Sequence, residues 1–147
     1  MDDTFNFWNK NAQYYQYIKD HDNSLLSNTA LKQLVEAIPP ESKVLDIGCG
    51  EGSKIIELDN LISNLDCYGI DISRQAIQSA REQAPHIKFE SGNIEQLPYP
   101  DNQFDVVFST FTFEHVTNPQ AILDEMLRVL KPQGKIIIVC PNFGSPL

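Results

Sequence analysis

Short apolar runs alternate along this chain with stretches whose apolar residues recur every three or four positions, and that alternation leaves it few folds. Residues 43–47, 67–70, 87–90, 104–108 and 135–139 read as strands. Strands apolar on both faces that alternate with amphipathic helices mean a parallel sheet with helices on both sides. Between them, Ile55, Ile56, Leu58, Leu61 and Ile62 fit a helix. Ser73 caps a second, with Ala76, Ile77 and Ala80 inward and Pro85 at its end. Asn118-Pro119 opens a third, with Ile122, Leu123, Met126, Leu127 and Leu130 inward. Pro132 to Gly134 then turns the chain into the fifth strand.

Two helical stretches precede the first strand. One carries Phe5, Trp8, Ala12 and Tyr15 on one face; the other carries Leu31, Leu34, Val35 and Ile38 and stops at Pro39-Pro40. The expected organisation is a single α/β domain, with residues 1–42 as an N-terminal helical cap or lid and 43–147 as the core. The chain stops soon after the fifth strand, in PNFGSPL. That leaves the last strand as an open edge, so the expectation is a fragment of a longer protein, or self-association through the fifth-strand edge.

The 147 residues carry a formal net charge of -9. The few basic residues are scattered, so neither nucleic acid nor an anionic membrane is an expected partner. Cys49, Cys67 and Cys140 are odd in number and form no CxxC pair, which argues against a zinc site or a disulfide framework and for reduced thiols in a cytoplasmic protein. Neither a signal-peptide pattern nor a long apolar span is visible.

Open parallel sheets bind ligands at the carboxyl ends of their strands, where strand order reverses. The first strand runs into Asp46-Ile47-Gly48-Cys49-Gly50-Glu51-Gly52-Ser53. Gly48 and Gly50 match the first two glycines of the dinucleotide pattern G-x-G-x-x-G, but Ser53 stands in place of the third. A pyrophosphate on this turn would face the carboxylates of Asp46 and Glu51. An amino-acid head with an ammonium group suits them better, its own carboxylate taking backbone N–H groups. Asp71 ends the second strand about 20 residues on, the spacing at which an acidic residue reaches both hydroxyls of a ribose. Ile72 packs either on an adenine face or in the core.

The segments VLDIGCGEGS, GIDIS, GNIEQLPYPDNQFDVVFSTFTFEHV and LRVLKPQGKIIIV together resemble the successive motifs of class I S-adenosylmethionine-dependent methyltransferases, most of all the small-molecule enzymes. The resemblance runs from about Lys43 to Val139. It implies a Rossmann-like fold, S-adenosylmethionine as cofactor and S-adenosylhomocysteine as product. It implies that Asp46, Gly48, Cys49 and Gly50 surround the methionine end and that Asp71 binds the ribose. Asn93 and Ile94 would meet the adenine, although the family usually has Asp at the Asn93 position. Ser109, Thr110 and Phe111 would line the wall near the methyl group. In resembling enzymes a tyrosine of the N-terminal helix touches the cofactor, which points to Tyr15 or Tyr14; packing of that helix on the sheet is the alternative. Gln133 stands where the family often has glycine. The family's sixth and seventh strands are missing.

Methyl transfer from a sulfonium is an in-line displacement that needs positioning more than a protein nucleophile. Cys49 beside acidic residues is a poor nucleophile. His115, just past the fourth strand, is the histidine placed to act as a general base; the Glu114-His115 pair is also structural in resembling families. The leading expectation is a methyltransferase acting on a small-molecule acceptor. The alternatives are a non-catalytic S-adenosylmethionine-binding or assembly module and, further off, an NAD(P)-dependent oxidoreductase fragment.

Overall fold

The computed structural model describes residues 29–141. Its elements are α1 (Thr29–Ala37), β1 (Lys43–Ile47), α2 (Ser53–Leu61), β2 (Asp66–Asp71), α3 (Arg74–Gln83), β3 (Lys88–Ser91), β4 (Phe104–Thr110), a 3-10 turn (Phe113–His115), α4 (Pro119–Val129) and β5 (Leu130–Val139). The five strands are all parallel, in the order β3-β2-β1-β4-β5. Strand order therefore reverses between β1 and β4. The aromatic lid expected around Tyr14 and Tyr15 lies outside the described residues.

The period of two along each strand sorts side chains onto two faces. Val44, Val106 and Phe108 join Leu31 and Leu34 of α1, Ile38 just after it, Ile55 and Leu58 of α2, and Ile77 and Ala80 of α3 in one apolar cluster. Leu45, Ile47, Ile70 and Val107 pack on the opposite face with Ile122, Met126 and Val129 of α4. The helices of the β1-to-β3 crossovers and the helix of the β4-to-β5 crossover thus lie on opposite sides, as right-handed connections require when the chain winds outward both ways from β1.

The helix ends follow local chemistry. The Ser73 hydroxyl accepts from Ala76 N–H at 3.3 Å. The Asn118 side chain accepts from Ala121 N–H at 3.2 Å, with Pro119 in the first turn. Two expectations are corrected. Leu127 is 61% exposed, because it comes five positions after Ile122 and so falls about 140° round the helix from the buried stripe. The fifth strand starts earlier than expected: Leu130 pairs with Phe104, and after an excursion Lys135 pairs with Val106. Gln133 sits in that excursion at φ 67, the left-handed region that favours glycine. Among the described residues no strand pairs with the outer edge of β5, and no helix is long and apolar enough to cross a membrane.

Candidate cofactor site

The carboxyl ends of β1, β2 and β4 converge where strand order reverses. After Ile47 the chain turns through Gly48, Gly50 and Gly52, at φ 72, 55 and 80. Two of these positions have no room for a side chain. A Cβ on Gly48 would lie 2.4 Å from Thr112 Oγ1, and one on Gly52 would lie 2.6 Å from Phe89 Cζ. Gly52 is the residue before α2, so the positive end of that helix faces the turn.

The N–H groups of the turn are largely committed. Gly48 N–H and Cys49 N–H both donate to Ile70 O, at 2.9 and 3.1 Å. Gly50 N–H donates to Asp71 Oδ2 at 2.8 Å. The expectation that this turn offers its N–H groups to a ligand carboxylate is therefore corrected for residues 48–50: the end of β2 has taken them, because the β1–β2 register brings Ile70 and Asp71 alongside.

Asp71 is the pin of the site. Its other oxygen accepts from Ser73 N–H at 2.8 Å, and its own carbonyl accepts from Gly92 N–H at 3.0 Å. One residue thus ties together the glycine turn, the start of α3 and the segment leading to Asn93. Burial pushes its pKa up, and the N–H groups of Ser73, Gly50 and Ile72 pull against that. A carboxylate has about four acceptor positions, so these bonds do not exhaust it.

Asp46 is different. It is 1% exposed, and its Oδ1 is buried with no hydrogen-bond partner among the described residues. Burial raises its pKa well above the ordinary carboxylate value; the charge of Asp71 adds to this, and Lys54 opposes it. A buried polar atom left unsatisfied costs about 1–3 kcal/mol, more when charged. Natural proteins keep such atoms where something else pairs with them. Cys49, beside Asp46, is buried and its thiol is pushed well up, first by burial and then by Asp46 and Asp71, so it is no nucleophile.

The remaining residues fall into three groups. Ile72 and Ile94 are half-buried beside the site, and Asn93 is exposed. Asn93 Oδ1 accepts from Glu95 N–H at 2.9 Å, closing a tight turn. Thr110 and Phe111 are half-buried at the end of β4. Phe111 takes φ 56, a genuine outlier for a bulky residue. Its N–H donates to Val139 O at 2.7 Å, and the twist sends Thr112 back over Gly48. Ser109 does not stand on the wall: it is fully buried and its hydroxyl donates to Ile47 O at 2.8 Å, so it ties β4 to β1 beneath the turn. His115 is exposed, with Nε2 3.8 Å from Glu114 Oε1.

Gly52 and Thr112 were not singled out by sequence reasoning. The third glycine carried a signal, since a strand-to-helix turn needs left-handed backbone somewhere before the helix. Thr112 carried none. Among the described residues no group of side chains is fit to hold a metal ion.

This arrangement is a Rossmann-like sheet whose first turn carries a buried carboxylate at its base. Residues 38–145 match the family model described as a methyltransferase domain, and the chain belongs to the class I S-adenosylmethionine-dependent methyltransferases. It is 34% identical over 108 residues to a demethylmenaquinone methyltransferase of Renibacterium salmoninarum, covering 71% of this chain and 45% of that protein. It is 37% identical over 118 residues to phosphoethanolamine N-methyltransferase 3 of Arabidopsis thaliana, covering 74% of this chain and 24% of that one. The crystal structure of an S-adenosylmethionine-dependent methyltransferase from Aquifex aeolicus superposes with a TM-score of 0.74 at 26% identity, covering 90% of this chain and 77% of the other. The chain spans about half the length, or less, of these curated relatives.

Proposed function

We propose that this chain binds S-adenosylmethionine at the carboxyl ends of β1, β2 and β4 and forms the cofactor half of an enzyme that methylates a small-molecule acceptor. One observation carries the reading: the unpartnered, buried Oδ1 of Asp46 beside the glycine turn. A cation there gains both charge pairing and a hydrogen bond. The α-ammonium of the methionyl group is such a cation; a diphosphate would add charge to a carboxylate that is already starved of solvent.

The family's cofactor supplies a methyl group already activated on a sulfonium. What this chain contributes is placement. Asp46 holds the ammonium. Asp71, with its unused acceptor capacity, takes ribose hydroxyls while fixing the glycine turn. Ile72 gives an apolar face for the adenine, and the turn at Asn93–Ile94 supplies its polar edge. Thr110 and Phe111 form the wall toward the acceptor. His115 is the residue for proton removal where the acceptor needs it. Fixing donor and acceptor in line lowers the barrier through orientation, about 7–11 kcal/mol in favourable cases.

The acceptor in this reading is a small molecule. Relatives that share this half carry names with different acceptors, a demethylmenaquinone and a phosphoethanolamine. Isothermal titration with S-adenosylmethionine, S-adenosylhomocysteine and NADH tests the reading. Micromolar binding of the two sulfur compounds with no heat from NADH is expected. NADH binding, or silence from all three, refutes it.

A further inference from the structure

The segment between β3 and β4, residues 92–103, carries the proposed adenine contacts and has almost no backbone pairing of its own. Gly92 anchors one end through its bond to Asp71 O. Asn102 N–H and Gln103 N–H anchor the other, donating to Arg128 O and Val129 O at 3.0 and 2.7 Å. In the middle, two side chains of α4 act as the missing strand. Glu125 Oε2 accepts from Leu97 N–H at 2.7 Å, and Arg128 Nη2 donates to Leu97 O at 3.0 Å. Both polar groups of one peptide residue are thus read by a pair one helical turn apart.

The pair is itself locked. Arg128 Nε and Nη2 grip Glu125 Oε1 and Oε2 at 2.7 and 2.8 Å, the two-pronged geometry that only a guanidinium provides. Arg128 Nη1 goes on to Tyr99 O at 2.8 Å and Asp101 Oδ1 at 2.9 Å. Leu97 and Tyr99 pack into the same apolar cluster as Ile122, Met126 and Val129, so the clamp and the packing enforce one loop position. Asn93 and Ile94 lie in a tight turn between the Gly92 and Leu97 anchors. The turn has only two bonds of its own, Glu95 N–H to Asn93 Oδ1 and Gln96 N–H to Asn93 O at 3.2 Å.

We propose that Glu125 and Arg128 are positioning residues for base recognition: from the far side of the loop they hold the Asn93–Ile94 turn where it distinguishes adenine from other purines. Neither is among the residues proposed to meet the cofactor. The inference rests on the proposed cofactor reading and deepens it. A group that recognises a base edge works only if its donor and acceptor are held to within tenths of an ångström, so loosening the clamp blurs base choice before it abolishes binding.

The test compares S-adenosylhomocysteine with S-inosylhomocysteine, which swaps the exocyclic amine for a carbonyl oxygen, by titration calorimetry on wild type, Arg128→Lys and Glu125→Gln. Wild type should prefer the adenine compound. In Arg128→Lys that affinity should fall about tenfold, the scale of one charge-assisted hydrogen bond, while the inosine compound changes less than about twofold. Glu125→Gln keeps an acceptor for Leu97 N–H but breaks the two-pronged grip, and should give a smaller loss in the same direction. A preference that stays at the wild-type ratio in both variants overturns the inference, whether the two affinities hold or fall together. A wild type that binds both compounds equally overturns the adenine contact itself, and a wild type that binds neither overturns the cofactor reading.

Discussion

Substituting Asp46 by Asn should make the ligand-free protein more stable while removing its proposed affinity for S-adenosylmethionine. Asp46 is 1% exposed, has an unpartnered oxygen and lies close enough to Asp71 to feel its charge. Asn keeps the shape and removes the charge. Part of the gain is lost because the new amide also needs partners and because the attraction to Lys54, the smallest of the three influences on Asp46, disappears. A net gain of about 1–2 kcal/mol is reasonable for relieving a buried, unsatisfied carboxylate. In a domain of this size that is a rise of roughly 3–6 °C in Tm.

The sign of the pH dependence provides the control. A carboxyl group whose folded pKa is raised contributes stability that is fully present below its unfolded pKa and is lost as pH rises through the folded value. Wild type therefore pays for the ionised Asp46 on the alkaline side, and the variant does not. Scanning calorimetry at about pH 8 and about pH 5 should show the variant's advantage at the higher pH and a smaller one at the lower. Saturating S-adenosylmethionine, at about a hundred times its Kd, should stabilise wild type by about 2.7 kcal/mol and the variant hardly at all. A variant less stable than wild type at the higher pH, or one whose advantage is the same at both, refutes the idea that this carboxylate is buried against its own interest to meet a cation.

Gln133→Gly removes a left-handed non-glycine residue; relief of about 1–2 kcal/mol less the added chain entropy leaves a gain of about 0.5–1 kcal/mol, seen as a higher urea midpoint at unchanged m. With a disulfide reagent near neutral pH, Cys140, which is exposed, should react fast; Cys67, pushed up to about 12 chiefly by burial, and Cys49 should stay silent until the protein unfolds. Three thiols reacting at one rate would contradict the burial. Glu125 is held below its ordinary 4.5, first by Arg128; Asp105 is held below 3.8 by Lys43 N–H and Lys131 despite the opposing effect of burial. Their stability is present above those values and lost as pH falls, whereas that of Asp46 and Asp71 is lost as pH rises. Ligand-free stability should therefore peak on the acidic side of neutrality, and thermal scans across pH that peak above neutrality would contradict this.

What the sequence revealed was whatever a local pattern encodes. The five strands were legible from their apolar runs, the start of α3 from Ser73, and the start of α4 from Asn118-Pro119. The odd backbone at Gln133 was legible from a glycine that the resemblance leads one to expect. What failed to show depends on register or distance. That Ile70 O takes the N–H groups of Gly48 and Cys49 follows from the β1–β2 pairing, which no spacing rule gives. Ser109 has the residue type for a ligand contact, but strand parity turns it under the turn. Leu127 reads as inward because its neighbour Met126 is. The clamp of Glu125 and Arg128 on Leu97 joins residues 28 and 31 positions apart, a separation no local pattern encodes.

These contrasts share a cause. The acidic groups away from the site, Glu125 and Asp105, meet cations and N–H groups at 2.7–2.9 Å and have their pKa lowered. At the site, Asp71 spends its bonds on holding three chain segments together, and Asp46 is left short of a partner in the space they enclose. A carboxylate that could pair with the protein would compete with any ligand for that partner; one that cannot is ready for a cation without rearrangement, which is what preorganisation means in a binding site. The fold bears the strain of two buried carboxylates, and the shortage of partners at Asp46 gives the Asp46→Asn experiment its sign.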